Sequence, residues 1–283
     1  MRSILFYIGP VPIRAYGLML WIAIVVGLWR TLRAARRTDI KPEHVIDLVI
    51  CAVLGGIVTA HLTSIFLDLR YYIKDPSAII DLWSGILSPS GGLRGLSFHG
   101  GLIGAIGITY LFTRRKKIRF MEMLDLLSPG LAIAYAITRI GCLLNGCCYG
   151  IPTHLPWGIR FHVDGGLTSP SHPTQLYGSL ANVLIYFLLV MIAKRRQFTG
   201  QVFYSYLAMY SVYRFFVEFL RKGVTADIAF AGLTQAQVAS ILGLAILIPV
   251  LAIRLRKSAH SSLITHHPSP KGRAHARAGR PSR

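Results

Sequence analysis

Arg139-Ile140-Gly141-Cys142-Leu143-Leu144-Asn145-Gly146-Cys147-Cys148-Tyr149-Gly150 closes an apolar run that begins at Leu126, with an arginine still inside the apolar segment. An ionised guanidinium near a bilayer core costs about 2.5–3.5 kcal/mol on insertion scales, so it faces the protein interior or an anionic ligand. The glycines that follow end the helix and allow the backbone to bend or to approach something closely. The residues that reach the same depth as Arg139 therefore organise the rest of the reading.

Of 283 residues, 53% are hydrophobic and only 15% charged, against about 25% charged in an ordinary soluble domain. Repeated apolar runs near the ~20 residues needed to span hydrocarbon predict an all-α, polytopic membrane protein with about seven transmembrane helices. The expected spans are 16–29, 44–67, 96–112, 121–144, 175–193, 201–220 and 234–253. They make one integral membrane domain, residues 1–256, with interfacial segments at 68–94 and 145–174. Residues 257–283, rich in Ser, His, Pro, Lys and Arg, are expected to form a disordered basic tail. No cleavable signal peptide is evident, because charges follow the first apolar run and no small-residue cleavage site does.

Net charge is +20. The basic residues sit in short loops beside apolar spans, which points to anionic membrane lipids as partners. No aromatic-and-basic surface of the kind that reads nucleic acid is present, so no nucleic-acid partner is expected. The loops after spans one, three and five, with the tail, hold nearly all the Lys and Arg clusters. That pattern puts the N-terminus outside and the C-terminus in the cytoplasm.

With this orientation, Tyr16, His99, Arg139, Gln175, Tyr177, Arg214, Glu218 and Arg221 fall in one layer near the outer face. Arg214, Glu218 and Arg221 are spaced to share a helix face. Inward ends of the same spans show only Lys and Arg of a solvated kind. Arg139 and Arg214 offer forked donors suited to a phosphate, and His99 suits proton transfer. Gly100, Gly101 and Gly104 permit close approach of backbone or ligand. Together these point to an enzyme acting on a phospholipid from the outer leaflet.

Plainer readings stand beside this one. Arg214 and Glu218 form an ion pair, His99 hydrogen-bonds a neighbouring helix, Tyr16, Gln175 and Tyr177 anchor span ends, and Gly100 and Gly104 are packing positions. Cys142, Cys147 and Cys148 admit packing, a disulfide from Cys142 to one of the adjacent pair, or a metal site. The spacing, with no adjacent histidine, is a weak zinc signal. Adjacent Cys147 and Cys148 are expected to point differently. A transporter or receptor for an anionic solute would use the same layer, but no Gly/Pro-broken helix pair recurs in two halves. A further alternative is a catalytically inactive protein that only binds phospholipid in this layer.

Tyr16-Gly17, Ser97-Phe98-His99-Gly100-Gly101-Leu102-Ile103-Gly104, Arg139-Ile140-Gly141, Asn145-Gly146, Gly150, His172-Pro173-Thr174-Gln175-Leu176-Tyr177 and Arg214-Phe215-Phe216-Val217-Glu218-Phe219-Leu220-Arg221, in this order, resemble the prolipoprotein diacylglyceryl transferase family. The resemblance implies transfer of diacylglyceryl from phosphatidylglycerol to the lipobox cysteine of lipoprotein precursor signal peptides, at the bacterial inner membrane. It implies no metal or organic cofactor. The family's essential tyrosine, histidine and arginines match Tyr16, His99, Arg139 and Arg214; Glu218, Asn145 and Gly150 match its glutamate and signature positions. On this reading His99, Arg139 and Arg214 are catalytic. Tyr16, Gly100, Gly101, Gly104, Asn145, Gly150, Gln175, Tyr177, Glu218 and Arg221 bind substrate. Cys142 and Cys147 stand where the family signature usually has Asn and Glu, Gly178 where a Glu is common, and Lys222-Gly223 for Pro-Asp.

Overall fold

The computed structural model describes residues 4–9, 11–79, 96–163, 166–221, 228–230 and 232–265. The N-terminal stretch, expected at the interface, is a hairpin of β1 (Ile4–Ile8) and β2 (Val11–Arg14) turning at Gly9. The helices are α1 (Ala15–Ala35), α2 (Pro42–Leu67), a short α3 (Leu69–Lys74), α4 (Phe98–Arg115), α5 (Phe120–Asn145), α6 (Thr174–Lys194), α7 (Gln201–Glu218) and α8 (Gln235–Thr265). All seven expected spans thus have a helix. Five of these, α1, α2, α5, α6 and α8, are long and apolar enough to cross a membrane. The other two, α4 and α7, have 18 residues each and carry His99 and Arg214. Arg114 and Arg115 in α4, and Gln201, Arg214 and Glu218 in α7, add to the polarity of these two helices. The protein is a multi-pass helical membrane protein.

Boundaries follow local chemistry. Pro42 opens α2 at a position where the missing N–H costs nothing. Ser97 caps α4 through its side chain, which accepts from the Gly100 N–H at 3.4 Å. Gly146, with φ of 75°, ends α5 in the left-handed conformation. Helix α8 continues through Thr265, past the boundary expected at 256. Residues 80–95, within the expected interfacial excursion, and 266–283 of the expected tail lie outside the described residues.

Helix α5 is the hub, packed against α1, α6 and α7, while α2 pairs with α4 and α7 with α8. Leu54, Val58, Leu62 and Phe66 make an exposed stripe at i, i+4 spacing on α2. In a bilayer such a stripe meets acyl chains as apolar as itself, so close packing rather than release of water holds the helices together. One buried cluster joins Ala35, Ile40, Val45, Leu48, Met123 and Leu126. A second joins Ala132 on α5 to Ile185, Leu189 and Val202 on α6 and α7.

The end of the bundle carrying the basic loops holds more than solvated cations. Asp125 is 4% exposed, and its carboxylate accepts from the backbone N–H groups of Gly200 at 2.7 Å and Phe203 at 2.9 Å. It thus occupies the N-terminus of α7, where free N–H groups and the helix dipole favour an anion. Arg196 lies 3.8 Å from Asp125 and 3.6 Å from Glu122, and Arg30 Nε donates to the Tyr186 hydroxyl at 3.1 Å. The expectation of purely solvated inward ends is corrected accordingly, since a carboxylate inside a span gathers its own partners.

Replacing Asp125 with Ala removes a charged acceptor from two backbone donors. Bonds to charged groups contribute about 1.5–3 kcal/mol, so D125A should unfold at clearly lower temperature in detergent, with D125N between it and the wild type. Equal melting of all three proteins would show that α7 does not depend on this cap.

Candidate active site

The loop after α5 is built by a three-way backbone junction. Gly150 N–H donates to His172 O at 2.8 Å, Ile151 N–H to Leu220 O at 2.9 Å, and His172 N–H to Ile151 O at 3.0 Å. Gly150 also bridges Arg221 in antiparallel fashion. A Cβ at Gly150 would lie 2.1 Å from the Leu220 carbonyl oxygen and 2.9 Å from the His172 Cβ, so no side chain fits. The loop thereby fastens the end of α5 to the start of α6 and the end of α7.

Side chains at the start of α6 complete the fastening. Thr174 Oγ1 donates to Cys148 O and Gln175 Nε2 to Cys147 O, both at 2.6 Å. The Tyr177 hydroxyl accepts from Trp157 Nε1 at 2.8 Å and lies 3.2 Å from His172 Nδ1. Gln175 and Tyr177, expected to bind substrate, spend these groups on the loop. The Gln175 Oε1 atom remains buried without a partner.

Beside the junction lies a cluster of arginines and tyrosines. Arg139 Nε donates to the Tyr135 hydroxyl at 2.8 Å, a second nitrogen of the guanidinium reaches the same oxygen, and the guanidinium stands 4.7 Å over the Tyr135 ring. The Tyr135 ring meets Tyr210 at 5.5 Å and Tyr213 at 6.5 Å, and these two meet at 5.8 Å. Arg214 neighbours Tyr210 and Arg221 neighbours Tyr213. Three guanidinium groups from α5, α7 and the turn after α7 therefore surround one tyrosine cluster.

Their charge is only partly balanced. Among the described residues, the sole ion pair made by the three is Arg214 with Glu218, one helical turn on. Burying a charge without a partner costs several kcal/mol. Arg139 and Arg221 are thus left half-buried with no carboxylate beside them among the described residues. Glu218 Oε1 and Arg221 Nε are also buried without a hydrogen-bond partner, which is what a polar ligand would relieve.

Tyr135, Tyr210 and Tyr213 are missed when only charged residues are followed. The signal was present as spacing: Tyr135 precedes Arg139, and Tyr206, Tyr210, Arg214 and Glu218 follow one another, at four-residue steps on one face.

Other expected site residues fall in different places. Tyr16, at the start of α1, neighbours Arg139 and the three cysteines Cys142, Cys147 and Cys148. The Asn145 side chain bonds the Cys147 sulfur. His99 is exposed in the first turn of α4, its ring 5.7 Å from that of Phe98, and no hydrogen bond joins it to the arginines among the described residues. Gly100, Gly101 and Gly104 serve the α2–α4 contact. A Cβ at Gly104 would lie 1.9 Å from Thr59 Oγ1, one at Gly100 2.3 Å from Thr63 Oγ1, and one at Gly101 3.3 Å from Ala60. Packing against α2 is thus a role all three glycines have in this structure, and their expected part in substrate binding stays a proposal. A cavity of about 420 Å³ opens at the opposite, basic end, around Arg30, Arg33, Arg37 and Asp125, away from this cluster.

Residues 3–253 match the family described as prolipoprotein diacylglyceryl transferase. The chain is 34% identical over 243 residues to the phosphatidylglycerol–prolipoprotein diacylglyceryl transferase of Clostridioides difficile (strain 630), covering 86% of this chain and 91% of that protein. Enzymes of the same name from Finegoldia magna and Nitratidesulfovibrio vulgaris (strain DP4) are 33% identical over 260 residues and 35% over 237. These cover 91% and 82% of this chain, and 97% and 86% of the relatives. The chain belongs to the prolipoprotein diacylglyceryl transferase family.

Family membership gives the departures from its signature a structural meaning. Where a Glu is common, Gly178 leaves room for another group: its missing Cβ would stand 2.5 Å from the Tyr213 hydroxyl and 3.4 Å from Arg139 Cγ. Tyr213 of α7 thus occupies the space that a side chain at 178 would need. The cysteines are free, and the sulfurs of Cys142, Cys147 and Cys148 lie within 4.8 Å of one another. Cys148 has φ of 64°, a conformation rare outside glycine that costs about 1–3 kcal/mol unless its surroundings hold it; the Thr174 bond to its carbonyl does so.

Gly150→Ala should break the junction, because its clash is with backbone oxygen rather than a yielding side chain. Overpacking of this kind costs about 1–3 kcal/mol. Limited proteolysis should cut G150A between 146 and 173 faster than the wild type. G107A, with nothing within 4 Å of the new methyl, should resist like the wild type; equal resistance of G150A would contradict the junction's role.

Proposed function

We propose that this chain transfers the diacylglyceryl group of phosphatidylglycerol to the lipobox cysteine thiol of a lipoprotein precursor, releasing glycerol phosphate. What carries the reading is the pair of half-buried guanidinium groups, Arg139 and Arg221, that have no carboxylate partner among the described residues and lie near the Tyr135–Tyr210–Tyr213 cluster. A phosphodiester supplies the missing negative charge and has oxygens for forked donors. Arg214 is steadied by Glu218 and faces the same tyrosines.

In this scheme the acceptor thiolate attacks the glyceryl carbon bonded to the phosphate oxygen. That carbon–oxygen bond breaks, and charge gathers on the departing glycerol phosphate. Arg139, Arg214 and Arg221 stabilise this charge in a region where water competes little. His99, exposed at the start of α4, takes the thiol proton as the sulfur becomes a nucleophile. Tyr16, beside Arg139, and Asn145 border the acceptor's approach. The basic loops after α1, α4 and α6 put the N-terminus outside. The site then opens to the outer leaflet of the bacterial inner membrane, where phosphatidylglycerol and the emerging signal peptide meet.

Labelled diacylglyceryl transfer from phosphatidylglycerol to a lipobox peptide tests the proposal in nanodiscs. R139A and R221A should each lose about 10²–10³-fold in rate, the usual loss when one transition-state donor goes. R139K should recover little, because an ammonium lacks the fork. H99A should fail chiefly with thiol acceptors, and R36A at the basic end should be unaffected. Full activity in R139A and R221A would end the phosphate assignment.

A further inference from the structure

The three clustered cysteines are not used by the scheme above, and they sit beside it. Cys142 lies on the last turn of α5, while Cys147 and Cys148 come from the loop pinned by Gln175 and Thr174. Successive residues of an extended chain point to opposite sides, so an adjacent pair is expected to diverge. Here the left-handed turns at Gly146 and Cys148 bring both sulfurs to the same side, against Cys142. The backbone is secured for this arrangement: Cys147 N–H donates to Cys142 O at 3.1 Å, and the carbonyls of both loop cysteines are held from α6.

Three thiols from one turn and one loop, within 4.8 Å of one another, are close to the spacing of sulfurs on a tetrahedral zinc ion. With Zn–S near 2.3 Å, those sulfurs stand about 3.8 Å apart. Among the described residues, no fourth His, Cys, Asp or Glu side chain joins the group. Structural zinc sites are closed by four protein ligands, whereas catalytic ones keep three and leave one position open. The surroundings match a charged thiolate cluster: Arg139 and Arg221 both neighbour Cys148, and their charges offset the single negative charge of a zinc tris-thiolate. Tyr16 neighbours all three sulfurs and Arg139, so the open position borders the region where the reaction is placed.

We propose that Cys142, Cys147 and Cys148 bind a zinc ion whose fourth position takes the sulfur of the acceptor cysteine. The inference rests on the transferase reading for the identity of that fourth ligand. The acceptor thiol gives up its proton on binding the metal, and the metal-bound sulfur keeps a lone pair for the glyceryl carbon. The new carbon–sulfur bond forms as the carbon–oxygen bond to phosphate breaks, its electron pair leaving with glycerol phosphate. The released proton passes to His99, the base of the scheme above, and no electron changes hands. Cys142 and Cys147, standing where the family usually has an amide and a carboxylate, thereby serve the acceptor through a metal.

Metal analysis of the full chain in detergent, purified with zinc supplied and then dialysed, gives the first readout. One zinc ion per chain is expected, retained in C51S and lost in C142S and C148S. Absence of zinc from the wild type, a disulfide among the three sulfurs, or zinc content unchanged in both variants, meaning an adventitious ion only, would overturn the site. The second readout needs no variant. The cobalt-substituted wild type should show a sulfur-to-metal charge-transfer band that strengthens when a lipobox peptide is added and stays constant with the Cys-to-Ser peptide. Identical spectra with the two peptides would overturn the acceptor's role. Transfer activity separates this inference from the reading beneath it. Full activity after zinc is stripped would defeat the metal and leave the transferase standing. A peptide-dependent cobalt band without any transfer would defeat the transferase and leave the metal site.

Discussion

Arg139 holds its positive charge inside a membrane helix with tyrosine oxygen and tyrosine ring as its nearest company. Tyr135, one turn earlier, meets the guanidinium both through its hydroxyl and through its face. This gives local solvation but no countercharge. A cation–π contact contributes on the order of 0.5–2 kcal/mol, less than the cost of leaving the charge in an apolar bundle. In the proposed reaction the remainder comes from the phosphodiester, held beside the tyrosine cluster. Arg214 and Arg221 then share the same constraint, since Tyr210 and Tyr213 bring them to one side of α5.

Keeping these groups in register is the work of the loop between α5 and α6. Its junction at Gly150 is made of backbone bonds to residues on both sides of α6 and beyond α7. Because those bonds run between main-chain atoms, they hold the helix ends at fixed spacing whatever side chains the loop carries. That leaves the loop's side chains free for chemistry. It also explains why Gln175 and Tyr177, polar residues at a helix start, are turned toward the loop and not toward a lipid.

At the other end of the bundle, Asp125 supplies the opposite arrangement. A carboxylate is placed where α7 begins and satisfies that helix's free N–H groups. One helix, α5, therefore carries an anion that orders a neighbour at one end and, at the other, a cation with no carboxylate partner among the described residues. The first has its partners built in and is structural. The second has tyrosine but no countercharge, which is why the proposed phosphodiester is assigned to it.

Sequence by itself determined the class of fold, the places of the seven long helices and the gathering of Tyr16, Arg139, Arg214 and Arg221 at one level. Apolar length and charge position do not depend on contacts between distant residues, so they are readable without a structure. Gly146 as a helix stop was legible for the same local reason. The tertiary structure alone decided which partner each polar group takes. It gave Gly100, Gly101 and Gly104 to the α2–α4 contact, turned Gln175 toward the loop, left His99 exposed, and drew Tyr213 into the space beside Gly178. It also turned two adjacent cysteines to the same side through a left-handed backbone at Cys148. No spacing rule predicts that, because the left-handed backbone at Cys148 is held by the bond that Thr174 of α6 makes to its carbonyl.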